Sequence, residues 1–447
     1  MSSHPLPIAP ALAESAGCLP PDDLLRTTLH NEVHARPPAR VRLPALIVQV
    51  AVLNAGISRD QEWGHLRRLT GQAELPVERL QGNFLRLPCG NHTVNWERHT
   101  EFTRYSIVQA LPGGAVLGAV EPELLLAVMP DWLRSIPGRT VAAVQLAMLE
   151  GPLADEPALM RQAQAWFGDR AVIASQLGNG HSWAVTDFQI NADGFERMLV
   201  IAAPGTSESR AGRISQRLME LEIYRLMALR GLPVAKQLAP MLADAEGALA
   251  DITAQLENKS ASDQQLLDTL VSLAARVERA TAEHSYRFSA TRAYDTLVGQ
   301  RLSELREKPI PGTQTLGEFM QRRLSPAMAT VAATAQRLGS LSERVTRTSA
   351  LLRTRVDIAT ETQNQVLLEK LTRGQELQLR LQSTVEGLSI AAISYYVISL
   401  LLYGGKAAKA AGAPVNPEIV VGAAIPLVLW LVWRNIRRIH AKLRGRD

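Results

Sequence analysis

The sequence predicts an α+β N-terminal domain with a mixed sheet, followed by a long-helix bundle or stalk and a C-terminal two-helix transmembrane hairpin. Residues 40–205 hold short apolar runs separated by turn residues, a pattern typical of strands and short helices. Residues 206–386 carry apolar side chains near helical spacing, and the chain from 327 to 413 contains no proline. Residues 387–404 and 419–433 are apolar stretches without a formal charge, the composition of membrane-spanning helices.

Composition excludes several classes of protein. Of the 447 residues, 46% are hydrophobic and 20% are charged, which is not the composition of a disordered chain. Two cysteines, Cys18 and Cys89, are too few for a disulfide scaffold or a cysteine-rich metal module. The net charge of +5 divides into −4 over residues 1–205 and +9 over residues 206–447. A charge this modest does not indicate a nucleic-acid partner.

Residues 1–39 are expected to form a leader and one short helix. The leader lacks the basic start of a secretory signal, so we do not expect one. The run Pro-Pro-Asp-Asp at 20–23 suits the first turn of a helix, because proline fits there and acidic side chains face the positive end of the helix dipole. Pro37 must end this helix.

Residues 40–205 are predicted to fold as one α/β domain. The run 44–53 is continuously apolar, which indicates a strand buried on both faces. Later runs alternate with period two, and Pro-Cys-Gly-Asn at 88–91 indicates a hairpin turn. The predicted strands are 44–53, 83–88, 91–97, 100–110, 139–149, 170–177, 181–190 and 196–203, and the predicted helices are 58–69, 122–134 and 156–167.

Residues 206–386 are predicted to form a helical bundle and a long stalk helix. One helix covers 211–231, a second begins at Pro233, and residues 308–312 are a linker. A helix running from Pro326 to Gly404 would carry a ragged apolar stripe, which favours packing against other helices or other copies over a strict dimeric coiled coil. Two or three helices bent at Gly339 or Gly374 are the alternative.

The flanks of the two apolar stretches favour a membrane hairpin over a hairpin buried in a soluble core. Trp430 and Trp433 form an aromatic belt, and residues 434–447 follow as a basic tail. The only basic residues in the loop between the stretches are Lys406 and Lys409. The positive-inside rule then places both termini in the cytoplasm.

Four segments resemble those of a known family. His30–Pro37 (HNEVHARP) and Trp96–Phe102 (WERHTEF) are similar to signature segments of bacterial uncharacterised membrane-anchored proteins, the domain-of-unknown-function 3422 family. The segment 212–233 and the Tyr395-Tyr396 pair resemble it as well. The likeness covers nearly the whole chain. It implies anchoring in the bacterial inner membrane and brings no known activity.

The architecture also resembles that of CorA-type magnesium channels. These have a cytoplasmic α/β domain, a very long stalk helix, two C-terminal spans and a basic tail. Their Tyr/Phe-Gly-Met-Asn motif corresponds here to Tyr403-Gly404-Gly405-Lys406, which would form the membrane loop and in which Met and Asn are absent. Lysines at such a mouth would repel cations, so the resemblance implies the architecture more than cation transport.

Two polar segments contain the candidate site residues. His30 and His34 lie one helical turn apart, but the position of Glu32 fits no zinc-protease motif, and a structural hydrogen-bond network is the alternative to a metal site. Strand alternation places Glu97, His99 and Glu101 on one face of the strand and Trp96 on the other. The three polar side chains could serve in acid–base chemistry or form a solvated strand face. The expected N-domain polar pocket comprises His30, Asn31, Glu32, His34, Arg36, Trp96, Glu97, His99, Glu101 and His181.

The expected function is that of a membrane-anchored module that senses a ligand or protein partner, or acts as a scaffold, on the cytoplasmic side. An oligomeric CorA-like ion channel or transporter is the alternative. The sequence has no phosphate-binding loop, dinucleotide fingerprint or nucleophile elbow, and it indicates no catalytic residue, cofactor or metal. The expected partners are the lipid bilayer and, through the stalk, other copies of the chain, because a long apolar stripe needs a covering surface.

Overall fold

The computed structural model describes residues 22–34, 40–70, 82–111, 126–168, 170–258, 261–412, 414 and 416–444. The chain forms two compact units. The larger unit comprises Met1–Ala254 and Leu270–Thr346, and the smaller unit comprises Gln255–Thr269 and Arg347–Asp447. The larger unit extends past residue 205, the end expected for the α/β domain, because the helix that begins at Glu208 packs on the sheet.

The larger unit is built on one mixed sheet. Its nine described strands lie in the order β2-β3-β4-β1-β5-β8-β7-β6-β9; β5 and β8 are parallel, and every other neighbouring pair is antiparallel. The strands are β1 (Ala45–Leu53), β2 (Phe84–Cys89), β3 (His92–Arg98), β4 (Phe102–Ala110), β5 (Arg139–Glu150), β6 (Ile173–Leu177), β7 (Ser182–Ile190), β8 (Glu196–Ala202) and β9 (Lys308–Pro309).

Helices make up most of the remaining described chain, and three of them (α6, α7 and α9) contribute to both units. They are α1 (Arg26–His34), α2 (Arg59–Thr70), α3 (Pro130–Arg134), α4 (Glu156–Phe167), α5 (Glu208–Leu229), α6 (Gly231–Asn258), α7 (Asp263–Leu305), α8 (Leu316–Arg323), α9 (Ser325–Ala410) and α10 (Pro417–Arg444).

The sheet separates two hydrophobic cores. The central strand β1 is buried on both faces, as its continuous apolar run predicts: Val48 belongs to one core and Ile47 to the other. The first core is closed by side chains of α2, α3 and α4, including the indole of Trp132. The second is closed by α5, α8 and the C-terminal part of α7, with Leu218 of α5 almost fully buried. This second face of the sheet carries the candidate site.

Two predicted elements are wrong. The helix predicted at 122–134 is described only from Pro130, because proline favours the first helical turn and forces the preceding Met129 into an extended conformation; residues 122–125 lie outside the described part. The predicted linker 308–312 is also wrong in part, since Lys308 and Pro309 pair with β6 as the edge strand β9. Proline is tolerated there because an edge strand has no outer neighbour.

The stalk is one helix. α9 continues through Gly339 and Gly374 for 86 residues, so the alternative of several bent helices is not observed. Each glycine costs only about 1 kcal/mol relative to alanine, which the rest of a long helix can offset.

Tyr403, Gly404, Gly405 and Lys406 lie inside α9, so their prediction as a loop is wrong. The chain turns later, where Gly412 takes a φ of +96° that favours glycine. A Cβ atom on Gly405 would lie 3.0 Å from Cβ of Pro417, so glycine allows α10 to begin close to α9. Two described helical stretches, within Leu316–Ala410 and Pro417–Ile436, are long and apolar enough to cross a membrane.

Candidate functional site

The β3–β4 hairpin carries a row of polar side chains on the face of the sheet that α5 covers. The predicted alternation is observed: Val94 and Trp96 enter the first core, whereas Asn95 and Glu97 face a cavity beside α5. Trp96 is fully buried in that core, so its expected place in the polar pocket is wrong. A large apolar ring on the inner face of a strand gains more from burial than from lining a polar site.

An ion-pair chain connects this hairpin to α5 and α7. Glu97 and Arg104 face each other across β3 and β4, and the carboxylate Oε2 lies 2.6 Å from Arg104 Nη2. Arg104 Nη1 lies 3.2 Å from Oε1 of Glu220, a residue of α5. The second oxygen of Glu220 accepts a 2.5 Å hydrogen bond from Nε of Arg301 on α7. Buried charges need this kind of pairing, since each one alone is costly.

The charged groups of this ion-pair chain keep one another ionised. Burial acts to raise the pKa of Glu97, but the hydrogen bond with His99 and the charge of Arg104 outweigh it and hold the pKa at about 2. Burial acts to lower the pKa of Arg104, but Glu97 and Glu220 raise it above its usual value. A carboxylate with so low a pKa exchanges protons poorly at neutral pH. Glu97 is therefore suited to orienting Arg104 and His99 rather than to acid–base catalysis.

A cavity of about 100 Å³ lies between this network and the inner face of α5. Gln49 lines the cavity and bridges α5 and β4. Its side chain donates to the carbonyl of Met219 at 3.3 Å and accepts from the hydroxyl of Ser106 at 3.0 Å. Asn95 Oδ1 is buried and accepts no hydrogen bond from the described protein. The lining residues are Arg40, Val41, Ile47, Gln49, Phe84, Arg86, Thr93, Asn95, Glu97, Arg104, Ser106, Val108, Ser215, Gln216 and Met219.

The charge of this cavity favours an anionic ligand. Among the described lining residues, three are arginines and one is a carboxylate, and that carboxylate is already paired with Arg104. Arg40 and Arg86 are exposed, whereas Gln49, Ser215 and Met219 are buried, so these two cations lie toward solvent and the neutral polar groups lie deeper.

The other polar residues of the hairpin are held in two neighbouring groups. Glu101 makes a two-pronged salt bridge with Arg287 of α7, at 2.8 and 3.0 Å. Glu62 of α2 is fully buried and accepts from Arg98 and from the hydroxyl of Thr103, both at 2.6 Å. These contacts tie both ends of the β3–β4 turn to helices.

A separate buried carboxylate pair lies farther along α5. Arg225 contacts both Glu222 and Glu196 of β8, the latter at 3.4 Å. Burial and the charge of Glu222 raise the pKa of Glu196 to about 9, although Arg225 opposes them. Glu196 therefore carries a proton at neutral pH.

The predicted pocket residues are not all brought together. His99 lies beside Glu97, with Nε2 3.4 Å from Oε2. His181 lies in the exposed turn before β7, five strands from β3 in the sheet order, or about 24 Å at ~4.8 Å per strand. Its expected convergence with His99 is wrong, because the sequence does not show how strands order themselves in a sheet. His30 is exposed on α1, and the side chains of Asn31, Glu32 and His34 and the whole of Arg36 lie outside the described part.

Three residues of the ion-pair chain were not among the residues predicted from the sequence. Arg104 could have been paired with Glu97 from the register of the predicted hairpin, because cross-strand neighbours interact. Glu220 and Arg301 carried no signal, since their contacts depend on how α5 and α7 pack on the sheet. Within the described residues, no three His, Cys, Asp or Glu side chains are grouped to hold a metal ion.

The chain belongs to the family described as protein of unknown function (DUF3422), which it matches over residues 21–443. This confirms the family resemblance drawn from its polar segments. No curated protein and no solved structure matches the chain, and the likeness to CorA-type channels is not shown.

Proposed function

We propose that this protein is a ligand-sensing module anchored in the bacterial inner membrane, with its α/β part in the cytoplasm. The cavity beside Glu97 and Arg104 is the observation that supports a binding role most directly, because it combines buried neutral polar groups with a surplus of cations. A small anion carrying a hydrogen-bond donor is the ligand that this lining suits. Such a ligand would contact the sheet and α5 together, and its binding would stabilise their packing.

The C-terminal helices support the anchor. Trp430 and Trp433 end the apolar part of α10, and the guanidinium of Arg434 lies 4.8 Å from the centre of the Trp430 ring. Aromatic rings followed by basic residues are typical of the cytoplasmic end of a membrane span. The basic tail therefore supports a cytoplasmic C-terminus, and two spans would put the N-terminal part on the same side. A reporter fused after residue 447 that fluoresces only in the cytoplasm tests this orientation, and a signal only from a periplasmic reporter would contradict it.

Ligand binding is testable on the full chain in detergent. We expect some members of a panel of small carboxylates and phosphates to raise the thermal midpoint, because a ligand at 100 times its Kd stabilises the folded state by about 2.7 kcal/mol. Asn95→Leu removes the cavity acceptor at similar volume and should abolish the shift. Asn91→Leu alters an exposed residue of the turn between β2 and β3 and should leave the shift unchanged. Equal shifts in both variants, or no shift with any compound, would contradict binding in this cavity.

Self-association through the stalk is a second part of the proposal. Many large apolar side chains of α9 in the smaller unit are exposed, and Leu371, Leu381 and Leu351 are 57%, 67% and 72% exposed. A second copy is the partner that the long stripe favours, and the mass of the purified complex in detergent tests this. A ring-forming pentamer would favour the channel alternative, for which the continuous helix α9 leading into two apolar stretches is the supporting observation. A monomer would contradict both.

A further inference from the structure

The part of α9 just before the apolar stretch 387–404 is exposed on every side. Every residue from 357 to 385 is exposed, and nine of these residues are Leu, Val or Ile. A helix in a protein gains most of its stability by packing an apolar face, and a large exposed apolar surface marks an interaction site. This segment of the smaller unit therefore needs a covering surface.

A seven-residue repeat arranges many of these side chains along one face. From Leu367 to Leu388 the repeat alternates steps of four and three residues, the spacing of the a and d positions of a coiled coil. We call these seven positions the stalk seam. They are Leu367, Leu371, Gly374, Gln378, Leu381, Val385 and Leu388. Five of the seven are Leu or Val, so the stalk seam is mainly apolar over roughly 32 Å of helix.

The charged side chains of the same segment lie away from the stalk seam. They are Glu369, Lys370, Arg373, Glu376, Arg380 and Glu386. Five of them occupy b, c or f positions of the repeat, on the outer side of the helix, and Lys370 occupies a g position beside the seam. In a parallel pair the residue across from Lys370 is the neutral Gln375 of the second copy. An identical chain can therefore pack on this face without bringing like charges together.

A shared membrane defines the direction and the alignment of such a pair. Two copies anchored with the same orientation have parallel α9 helices. Their apolar stretches begin at the same residue, so the bilayer also aligns the helices along their length. Gln378 favours the same alignment, because a polar residue at one a position specifies the register and two facing amides can hydrogen-bond each other.

We propose that the stalk seam packs against the stalk seam of a second copy, parallel and in register. The inference rests on the proposed function, and it gives the self-association of the stalk a face, a direction and an alignment. Gly374 and Gln378 interrupt the apolar seam, so the pairing depends in part on the high local concentration that a common membrane provides.

Disulfide cross-linking of the full chain in bacterial membranes tests the stalk seam. Each protein carries Cys18→Ser and Cys89→Ser and one new cysteine. Leu381→Cys lies on the seam and Leu379→Cys lies at a b position, and the two leucines are 67% and 55% exposed. Under mild oxidation we expect Leu381→Cys to give about fivefold more covalent dimer or better, because a disulfide requires Cβ atoms within ~4.5 Å.

Two further cysteines test the direction of pairing. Leu371→Cys and Leu388→Cys lie 17 residues apart, or about 26 Å along the helix. Parallel copies in register form a disulfide at both positions, whereas antiparallel copies form one at no more than one of them. Cross-linking at only one position would overturn the proposal.

A charged substitution tests the seam without cysteines. Leu381→Glu would place like charges opposite each other, so it should lower the mass of the complex in detergent toward that of a single chain. Leu379→Glu should leave the mass unchanged. Equal masses for the two variants would overturn the proposal, provided both keep the wild-type thermal midpoint of the larger unit.

The mass of the wild-type complex separates this inference from the proposed function. A complex of several copies in which Leu379→Cys cross-links as strongly as Leu381→Cys would overturn the stalk seam and leave self-association standing. A single chain in detergent that forms no cross-link in membranes would overturn both. Ligand binding and anchoring have their own tests and depend on neither result.

Discussion

The buried ion-pair chain makes a sharp prediction about stability. Glu220 and Glu304 both contact Arg301, at 2.5 and 3.0 Å, but the side chain of Glu220 is 6% exposed and that of Glu304 is 39% exposed. Substitution by glutamine keeps the shape of each side chain and removes its charge. The two variants therefore compare the same chemical change, next to the same arginine, in a buried and a partly hydrated position.

The expected magnitudes differ several-fold. Removing one partner from a buried ion pair costs about 3–5 kcal/mol, and we expect the lower end for Glu220→Gln because Arg104 keeps Glu97. At roughly 2 °C per kcal/mol for a large domain, the thermal midpoint should fall by about 6 °C. A partly exposed pair contributes about 0–1 kcal/mol, so Glu304→Gln should shift the midpoint by less than about 2 °C.

Tryptophan fluorescence can report the thermal midpoints of these variants on the full chain. Five of the seven tryptophans belong to the larger unit, and the other two are Trp430 and Trp433 of α10. With those two replaced by phenylalanine in every protein compared, thermal unfolding in detergent reports the larger unit alone. Equal shifts for Glu220→Gln and Glu304→Gln would refute the reasoning, because burial would then not decide the cost of removing a charge.

Three further predictions concern the pH dependence of stability and the contact between α9 and α10. The pKa of Glu97 is about 2 in the folded state and 4.5 normally, so the destabilisation by Glu97→Gln should shrink as the pH falls from 5 toward 2, measured as the difference in thermal midpoint from wild type. Glu196 keeps its proton to about pH 9, whereas the unfolded chain releases it near 4.5. Wild-type stability should therefore fall as the pH rises, and Glu196→Gln should gain thermal midpoint relative to wild type between pH 5 and 8. Gly405→Leu should increase trypsin cleavage after Lys409 by displacing Pro417, whereas Gly387→Leu, which has open space, should not.

Much of the fold follows from local sequence pattern. The apolar run of β1 predicts a strand buried on both faces, and the observed strand pairs with neighbours on both sides. The proline-free chain after Pro326 likewise predicts the long helix α9. These features need only the residues of one segment, because hydrophobic periodicity and the conformational limits of proline act locally.

Features that depend on distant segments could not be predicted. Residues 308–312 look like a linker because proline and glycine break helices, yet Lys308 finds a free sheet edge 132 positions after Gln176. Glu220 sits on what reads as an ordinary amphipathic helix, and its partner Arg104 lies 116 positions earlier. Such contacts are selected by tertiary packing, which outweighs local preference.

The candidate site follows the same division. Alternation predicts that Glu97 and His99 lie on one side of the chain, and in the structure the two side chains lie 3.4 Å apart. It could not show that Trp96 lies in a core or that His181 lies across the sheet, because strand order is not a local property.

Membrane anchoring is the most direct requirement of the proposed function. The measurement is extraction of bacterial membranes with alkaline carbonate, comparing the full chain with a chain that ends at residue 386. We expect the full chain to stay with the membrane pellet, because the uncharged stretches of α9 and α10 would each lie in lipid. The shortened chain should move to the soluble fraction. A full chain that is released by carbonate as completely as the shortened one would contradict the proposal.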